Sequence, residues 1–516
     1  MIILLETIKA ERLVSSSMES IQQFLNLSIP KILGAVYMFI ENPEKEMEME
    51  KELRNLTNEF ICSIIAEILE EADEAIRNST SRAEEFNIVK RDNRTLTTTF
   101  GDVKFQRTLF ISKKTAENIY LLDQHLGLTA HSRLTDGVKL KVIQAVADAS
   151  YSKAGCSLLC NATVTKNTVK ELVHALNFPV TSYEAIKEKR EVETLYIEAD
   201  EDHCSLQAPS KNQKLEVSEN GRKLNGIMVK LVYVHEGYEQ PKTTKTGQKV
   251  KRHRLKNIHY FSGLYEGSEN NKILWNEVYE YIENTYDTEK IKHIYFMSDG
   301  GSWMDVGKHL LMHEKYVIDE FHLQKYVTKM TGHMKDSADD VKTEILRTIR
   351  KGTREEFNEL TERIRGYTDK EPELKRIETG ATYISENWDA AKIRLTHKKT
   401  IIGCSAEGHV SHLLSDRLSS RPRGWSKKGL DNMAKLRAYT RNGSSVEKLI
   451  PLIKKADEED VKKAVGAENQ VFSCADILTS ERSKNGIIGK YYDCMNVDCP
   501  EMIRRMLYSQ HGIVLL

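Results

Sequence analysis

The spacing of apolar residues divides the chain into helical and strand-rich stretches. Across residues 47–78, apolar side chains return every three or four positions, which predicts one long amphipathic helix. Residues 96–111 alternate between apolar and polar positions on either side of Gly101 and Asp102, which is typical of a β-hairpin. We therefore expect an N-terminal helical region over residues 1–90, followed by a small hairpin element and linker over residues 91–130.

Helical periodicity then returns in three short pieces, at residues 138–150, 152–160 and 165–176. Thr165 is a suitable N-cap for the third piece, and residues 161–163 have the composition of a turn. Three short helices with a polar face on the third are typical of a helix-turn-helix, whose last helix lies in the major groove. Residues 131–180 are therefore predicted to form a helix-turn-helix-like DNA-binding domain, with Lys166, Asn167 and Lys170 facing DNA.

Strand patterns dominate from residue 193 to residue 330. Short apolar runs at 194–199, 227–234 and 258–262 precede a helical pattern at 271–284, and two more strand patterns follow at 294–298 and 316–318. Three strands, a helix and further strands is the order of an RNase H-like fold. Residues 335–395 are helical and highly charged.

These patterns together predict an α/β RNase H-like catalytic core with a helical insertion, preceded by a mostly helical N-terminal region with a helix-turn-helix-like domain. The core is assigned to residues 190–335 and 396–445, and the insertion to residues 336–395. Residues 446–516 form a C-terminal tail whose weak pattern predicts no fold.

Composition indicates a soluble globular protein, with 40% hydrophobic and 29% charged residues. The eight cysteines lack the spacing of a zinc finger, so we expect reduced thiols in a reducing compartment. No run of about 18 uncharged apolar residues occurs. The expected location is therefore cytoplasmic and nucleoid-associated, with no membrane partner.

Opposite charges balance over the chain, at 76 basic and 76 acidic residues, but they are segregated. Residues 41–74 are rich in glutamate, whereas residues 242–256 and 417–437 are basic. Binding to phosphates depends on local patches, so a neutral total is compatible with DNA binding. The candidate phosphate contacts in the two basic segments are Lys249, Lys251, Arg252, Arg254, Arg417, Arg421 and Arg423. Trp425 either stacks on an unpaired base or belongs to the core.

Three acidic residues suggest a metal site. Asp200 and Asp299 each close a predicted strand, and Glu407 opens a helical stretch. Open α/β sheets place ligands at the carboxyl ends of their strands, and Mg²⁺ prefers oxygen ligands. A chain with 76 acidic residues offers many such triples by chance, so the strand-end context is what favours this one. Asp202 is a rival to Asp200 as the first ligand.

A further pair, Asp319 and His322, follows the last predicted strand at a spacing that places both side chains on one helical turn. Taken alone, this pair also fits an N-cap aspartate beside a histidine with a satisfied hydrogen bond.

At these motifs the chain resembles the Mutator-like insertion-sequence transposases, and more narrowly the ISLre-type family. The resemblance covers nearly the whole length. It rests on residues 196–200 (YIEAD), 296–300 (FMSDG), 319–322 (DEFH), 405–410 (SAEGHV) and 418–425 (LSSRPRGW). One departure is the sequence Asp200-Glu201-Asp202, where relatives often have Asp-Gly.

The resemblance implies a DDE transposase that cuts DNA strands at the ends of a bacterial insertion sequence and joins them to target DNA. It implies Asp200, Asp299 and Glu407 as ligands of two Mg²⁺ ions, for which Mn²⁺ can substitute, and Asp319 with His322 as a supporting motif. The expected partners are double-stranded DNA and at least one more copy of the chain. Two alternatives stay open: a non-catalytic helix-turn-helix DNA-binding protein, either an inactive remnant or a repressor, and an RNase H-like structure-specific nuclease.

Overall fold

The computed structural model describes residues 19–128, 132–156, 163–179, 188–207, 225–239, 254–308, 314–398, 400–420, 424–453 and 474. Over these residues the protein is mixed α/β, with a helical N-terminal region and a mixed β-sheet. Its contacts divide the chain into two units, Met1–Ala175 with Ile450–Leu516, and Leu176–Leu449. Most of the predicted tail lies outside the described residues, as do Lys249, Lys251, Arg252, Arg421 and Arg423.

Helices α1 to α4 open the first unit, and the third of them is the predicted long amphipathic helix. Their bounds are α1 (Glu19–Gln23), α2 (Ile29–Glu41), α3 (Glu46–Asn78) and α4 (Thr80–Glu85). One face of α3 lies against the neighbouring sheet, where the buried Asp73 accepts hydrogen bonds from the amide and hydroxyl of Thr108 at 2.9 and 2.6 Å.

The predicted hairpin is confirmed as part of an antiparallel sheet of three strands, β1 (Phe86–Thr97), β2 (Asp102–Ser112) and β3 (Asn118–Ile119). β1 begins ten residues before the predicted alternation, at Phe86. Its first half is largely exposed, so no buried face imposed a period of two on that part of the sequence.

Four short helices follow: α5 (Leu121–His125), α6 (Asp136–Val146), α7 (Tyr151–Cys156) and α8 (Lys166–His174). The last three contact one another, as the sequence predicts. The Thr165 hydroxyl caps α8 by accepting a 3.2 Å hydrogen bond from the amide of Thr168. Lys166, Asn167 and Lys170 are exposed on α8, and their contact with DNA remains a prediction.

The second unit contains a second sheet, whose strands are β4 (Thr194–Leu206), β5 (Gly226–His235), β6 (His259–Gly263), β7 (His293–Ser298), β8 (Glu314–Ile318) and β9 (Gly424–Trp425). The strand order is β6-β5-β4-β7-β8, with β9 paired to the far end of β4. β5 is antiparallel to both of its neighbours, β4 and β6, whereas β4, β7 and β8 are parallel.

Helix α9 (Gly267–Thr285) connects β6 to β7 and covers one face of this sheet. The predicted succession of strands and helix is therefore confirmed. The core on that face includes Leu195, Ile197, Ala199, Leu274, Val278 and Ile282, all of which are buried.

The predicted helical stretch after β8 is confirmed and forms its own core. Its helices are α10 (Glu320–Thr331), α11 (Ala338–Lys351), α12 (Arg354–Arg365), α13 (Glu371–Glu386) and α14 (Trp388–Thr396). α10 and α13 approach closely at Gly380, where an added Cβ would lie 2.6 Å from Cγ of Met330 and 2.9 Å from the carbonyl oxygen of Tyr326. Three further helices, α15 (Ala406–Val410), α16 (Asp416–Leu418) and α17 (Lys427–Arg441), end the unit.

One segment of the described residues, Ser20–Glu41, is long and apolar enough to cross a membrane. The sequence rule missed it because Lys31 interrupts the uncharged run. Signal sequences and core helices meet the same criterion, although this segment is mostly exposed. The expectation of no membrane partner therefore rests on composition alone.

Candidate functional site

The strand register aligns two of the predicted metal ligands. β4 and β7 are paired in parallel up to Glu198 and Met297, so the same register, extended by two residues, places Asp200 opposite Asp299. Neighbouring strands lie about 4.8 Å apart. The two aspartates that the sequence singled out therefore meet at one edge of the sheet.

Asp319 extends this row to a third strand. β7 and β8 are paired up to Ser298 and Ile318, and the Asp319 amide donates a 3.1 Å hydrogen bond to the Ser298 carbonyl. The next residues in register are Asp299 and Asp319. We call Asp200, Asp299 and Asp319 the aspartate row.

The aspartate row lies on the sheet face opposite to α9. Side chains alternate along a strand, so Asp200 is in phase with Tyr196, and Asp299 is in phase with Tyr295. Tyr196 and Tyr295 belong to a buried cluster on this second face, together with Met297, Val317 and Ile401.

Asp200 is the most perturbed carboxyl group of the row. Its pKa is raised to about 7, mainly by burial and in part by the negative charges of Asp299 and Glu201, against a 2.8 Å hydrogen bond from the Glu201 amide and the charge of His322. A bound cation stabilises two carboxylates that would otherwise repel each other, as at the ends of these adjacent strands. Strongly perturbed carboxyl groups are also concentrated at functional sites.

Asp319 and His322 form an ion pair beside the row, with Oδ2 and Nδ1 3.1 Å apart. The hydrogen bond to Asp319 raises the pKa of His322, and the charges of Asp319 and Asp299 add to this effect. Burial raises the pKa of Asp319, but the bond and charge of His322 outweigh it, so the net pKa is lowered. A protonated imidazole is thereby favoured next to the aspartates.

Asp202, the rival first ligand, is engaged elsewhere. The Ser419 hydroxyl donates to its two carboxylate oxygens at 3.0 and 2.8 Å. The expectation that β4 closes at Asp200 is wrong, since the strand continues to Leu206 through its pairing with β5. Asp200 instead lies where the parallel pairing with β7 stops, which favours it over Asp202.

Asp299 lies at the true end of its strand. β7 ends at Ser298, and Gly300 follows with φ of +98°, a backbone conformation that favours glycine. The Tyr383 hydroxyl of the insertion donates a 2.9 Å hydrogen bond to the Asp299 carbonyl. The position of this aspartate therefore depends on α13 as well as on the sheet.

Glu407 lies on α15, which begins on the face that carries the aspartate row. The Ser405 amide, two residues earlier, donates a 2.6 Å hydrogen bond to Oε2 of Glu198. Glu407 itself is exposed. Within the described ranges, no group of three His, Cys, Asp or Glu side chains has metal-binding spacing. The structure thus aligns Asp200 with Asp299 but does not bring the Glu407 carboxylate to them.

Glu198 is a buried carboxylate that sequence reasoning passed over. Its side chain is 0% exposed, and it accepts hydrogen bonds from the Tyr233 hydroxyl at 2.6 Å and the Cys404 thiol at 3.1 Å, while its Oε1 lies 2.9 Å from Nε2 of His235. Burial raises its pKa, but His235, Tyr233 and the Ser405 amide together leave it lowered. The sequence did contain a signal for this residue: Glu198 is a single glutamate inside an apolar run, and it lies on the same face of the strand as Asp200.

Two of the predicted DNA contacts are corrected. Trp425 is 6% exposed, and its indole nitrogen donates a 2.9 Å hydrogen bond to the Leu418 carbonyl. Arg417 is 4% exposed, with its guanidinium carbon 5.0 Å from the centre of the Trp425 ring. Both side chains are held in the core beside β9, so neither is available to a nucleic acid. Arg254 is exposed.

Comparison with known proteins assigns a family. The model of an uncharacterised protein family, UPF0236, matches residues 41–450. The chain belongs to the UPF0236 family. A UPF0236 protein of Caldanaerobacter subterraneus subsp. tengcongensis is 34% identical over 410 residues, which cover 80% of this chain and 81% of that protein. A second from the same organism is 35% identical over 402 residues, covering 78% and 79%.

More distant matches are also found. A UPF0236 protein of Streptococcus gallolyticus, described as lying in the vanSb 3′ region, is 25% identical and covers 77% of this chain and 83% of its own length. Among solved structures, the Drosophila P element transposase strand transfer complex matches 73% of this chain and 96% of that chain, at 9% identity. Its TM-score of 0.22 is too low to support an argument about fold or function.

Proposed function

We propose that this UPF0236 protein is a DDE transposase with an RNase H-like core, which cleaves DNA strands at the ends of a bacterial insertion sequence and joins them to target DNA. The observation that carries the proposal is the register of β4, β7 and β8, which lines up Asp200, Asp299 and Asp319 on one face of the sheet. The strand order β6-β5-β4-β7-β8 is the order in which an RNase H-like core would place its first two carboxylates on adjacent strands.

The donor set fits a hard divalent cation. Asp200 and Asp299 supply carboxylate oxygens, which Mg²⁺ and Mn²⁺ prefer. The pKa of Asp200 is raised mainly by burial and in part by the charge of Asp299, and a bound cation would favour the ionised form against both. Two such ions, when bound, supply an activated water and stabilise the departing 3′ oxygen. Glu407 is the proposed third ligand, because its helix is anchored to Glu198, two residues from Asp200.

The chain's own residues have distinct roles in this proposal. Asp200 and Asp299 hold the site together from two adjacent strands. Asp319 orients His322 and favours its protonated form, so that the imidazolium can donate a hydrogen bond to a phosphate oxygen. The exposed side chains of Lys166, Asn167, Lys170 and Arg254 contribute to holding DNA.

The naming of the relatives supports a mobile element. One Caldanaerobacter relative carries eleven locus designations in a single name, and another carries four. One protein encoded at many loci of one genome is what an element that inserts copies of itself leaves behind. The proposed partners are therefore the two ends of such an element, its target DNA and a second copy of the chain, in the nucleoid of a bacterial cytoplasm.

A second candidate is a non-catalytic DNA-binding protein. The exposed position of Glu407, and the lack of a three-residue metal group among the described residues, favour this alternative. A structure-specific nuclease with the same core would cut without joining.

The test is a strand-transfer assay in Mg²⁺, with oligonucleotides that carry the terminal sequences of the element encoding the protein. We expect joined product from wild type and none from Asp299→Asn. Asp305→Asn is the matched control, because Asp305 lies on the surface nearby and pairs with Lys308 outside the row. Cutting without joining would identify a nuclease, and binding without cutting in all three proteins would refute catalysis.

A further inference from the structure

A groove runs along the outer face of α10, beginning beside the aspartate row. It encloses about 660 Å³ between α10 and the first turns of α13. Phe321, Lys325 and Lys329 line it from α10, at positions that succeed one another on one helical face. Glu373 and Arg376 line it from α13, and His333 closes its far end.

The groove combines an exposed aromatic ring with positive charge. Phe321 is 60% exposed, although large apolar side chains are usually covered. Lys325, Lys329 and Arg376 line the groove together with one carboxylate, that of Glu373. The groove is therefore complementary to an anion that also offers flat apolar surfaces.

Two further features favour ligand binding in the groove. The Lys329 ammonium lies 4.5 Å from the centre of the Tyr326 ring, which restrains its position. Nε2 of His333 is buried and makes no hydrogen bond within the protein. A buried polar atom without a hydrogen bond destabilises the protein unless a ligand or a water molecule supplies that hydrogen bond.

Phe321, at one end of the groove, connects it to the aspartate row. The Phe321 ring lies edge-on to the His322 ring, with centroids 5.6 Å apart, and His322 is paired with Asp319. A strand that leaves the row past His322 would therefore meet Phe321 first, and then Lys325 and Lys329.

We propose that this groove binds single-stranded DNA next to the cleavage site, with Phe321 stacked on an unpaired base and Lys325, Lys329 and Arg376 in contact with the backbone. The inference rests on the proposed function for the identity of the polymer. A single strand is favoured over a duplex because an exposed aromatic ring needs an unpaired base, and aromatic rings in a cationic groove are the common composition of single-strand binding sites.

Binding can be tested without catalysis, in EDTA, by fluorescence anisotropy of a labelled oligothymidine on the full-length protein at several salt concentrations. Phe321→Ala should weaken binding roughly 5- to 150-fold, the fold-change that corresponds to losing one stacked base, and leave the salt dependence unchanged. Lys325→Ala should make the negative slope of log K against log salt less steep by about 0.7, as expected for one lost phosphate contact.

Lys375→Ala is the matched control for the charge change. Lys375 is exposed and precedes Arg376 on α13, but it does not line the groove. It should leave affinity and slope as in wild type. Equal losses in Lys325→Ala and Lys375→Ala, unchanged affinity in Phe321→Ala, or equal effects of Phe321→Ala on a labelled duplex would each overturn the groove proposal. The strand-transfer assay fails or succeeds independently, since the anisotropy measurement needs neither metal nor cleavage.

Discussion

The Ser405 amide donates a 2.6 Å hydrogen bond to Oε2 of Glu198. This bond joins the segment that leads into the Glu407 helix to the strand that carries Asp200, across more than 200 residues of sequence. Glu198 is fully buried and shares its carboxylate among Ser405, Tyr233 and His235, so its removal would leave several buried polar groups without a partner.

Glu198→Ala should therefore lower the free energy of unfolding by about 3 to 5 kcal/mol, the range for breaking a buried charged pair from one side. Urea unfolding followed by tryptophan fluorescence reports on the structural unit that contains Glu198. All four tryptophans, Trp275, Trp303, Trp388 and Trp425, lie within that unit, Leu176–Leu449. Glu193→Ala is the control. Glu193 pairs with Lys292 on the surface and is 74% exposed, so its loss should change the urea midpoint little. A similar small loss for both variants would contradict a structural role of Glu198.

The choice between Asp200 and Asp202 can be made by substitution. Asp200→Asn should abolish strand cleavage in Mg²⁺, because it removes a charged oxygen ligand from the row. Asp202→Asn should retain cleavage, since an amide oxygen still accepts a hydrogen bond from Ser419. A gel assay with end-labelled DNA measures both, with Ser419→Ala as a check on that hydrogen bond. Loss of cleavage in Asp202→Asn alone would reverse the assignment.

His259 should make the stability of the second unit depend on pH. Its pKa is lowered to about 4, mainly by burial and in part by the charge of Arg190. Nε2 of His259 lies 3.2 Å from Nδ2 of Asn442, from which the neutral imidazole accepts a hydrogen bond. Its usual pKa is about 6.5, so the unfolded chain binds the proton more tightly. Stability is therefore complete above pH 6.5 and is lost as the pH falls from 6.5 towards 4.

Between pH 7 and pH 5 this residue alone should cost about 2 kcal/mol. His259→Gln removes the titration while keeping a polar side chain beside Asn442. Comparing the urea midpoints of both proteins at the two pH values isolates the contribution, because all other groups titrate in both. An identical pH dependence in the variant would refute this role.

Trp425 should affect folding and not DNA binding. Trp425→Phe removes the hydrogen bond to the Leu418 carbonyl and part of the surface under Arg417. We expect a destabilisation on the order of 1 to 3 kcal/mol, by thermal unfolding measured with circular dichroism, since a buried acceptor loses its partner. DNA affinity at 25 °C should stay within about twofold of wild type, because truncating a core side chain leaves the binding surface intact. A large loss of affinity with unchanged stability would restore the stacking interpretation.

The sequence predicted the elements of the second unit well where a buried face imposed a clear period. The predicted strands β5 to β8 and the helix after β6 are all present, because their apolar runs end in polar turns. The end of β4 was misjudged, since the polar stretch Glu201-Asp202-His203 stays in the strand only through its pairing with β5. The local pattern of apolar and polar residues does not reveal a strand segment that is maintained only by hydrogen bonds to the neighbouring strand.

Part of the candidate site could also be predicted from the local sequence pattern. The strand-end rule located Asp200 and Asp299, which the parallel register then aligned. The role of Glu198 could not be found from local pattern, because its partners Tyr233, His235 and Ser405 lie 35, 37 and 207 residues away. The position of the Glu407 side chain depends on the orientation of the short helix α15, which is set by these long-range hydrogen bonds.

The two central aspartates differ in how firmly they are fixed. β4 continues past Asp200 and stays bonded to β5 on both sides of it, whereas Asp299 follows the last residue of β7, precedes Gly300 and is tethered through its carbonyl to Tyr383. A displacement of α13 would therefore shift Asp299 and leave Asp200 in place. The same helix carries Tyr383 and the groove residues Glu373 and Arg376, so the hydrogen bond to the Asp299 carbonyl connects the helical insertion to one of the two carboxylates and not to the other.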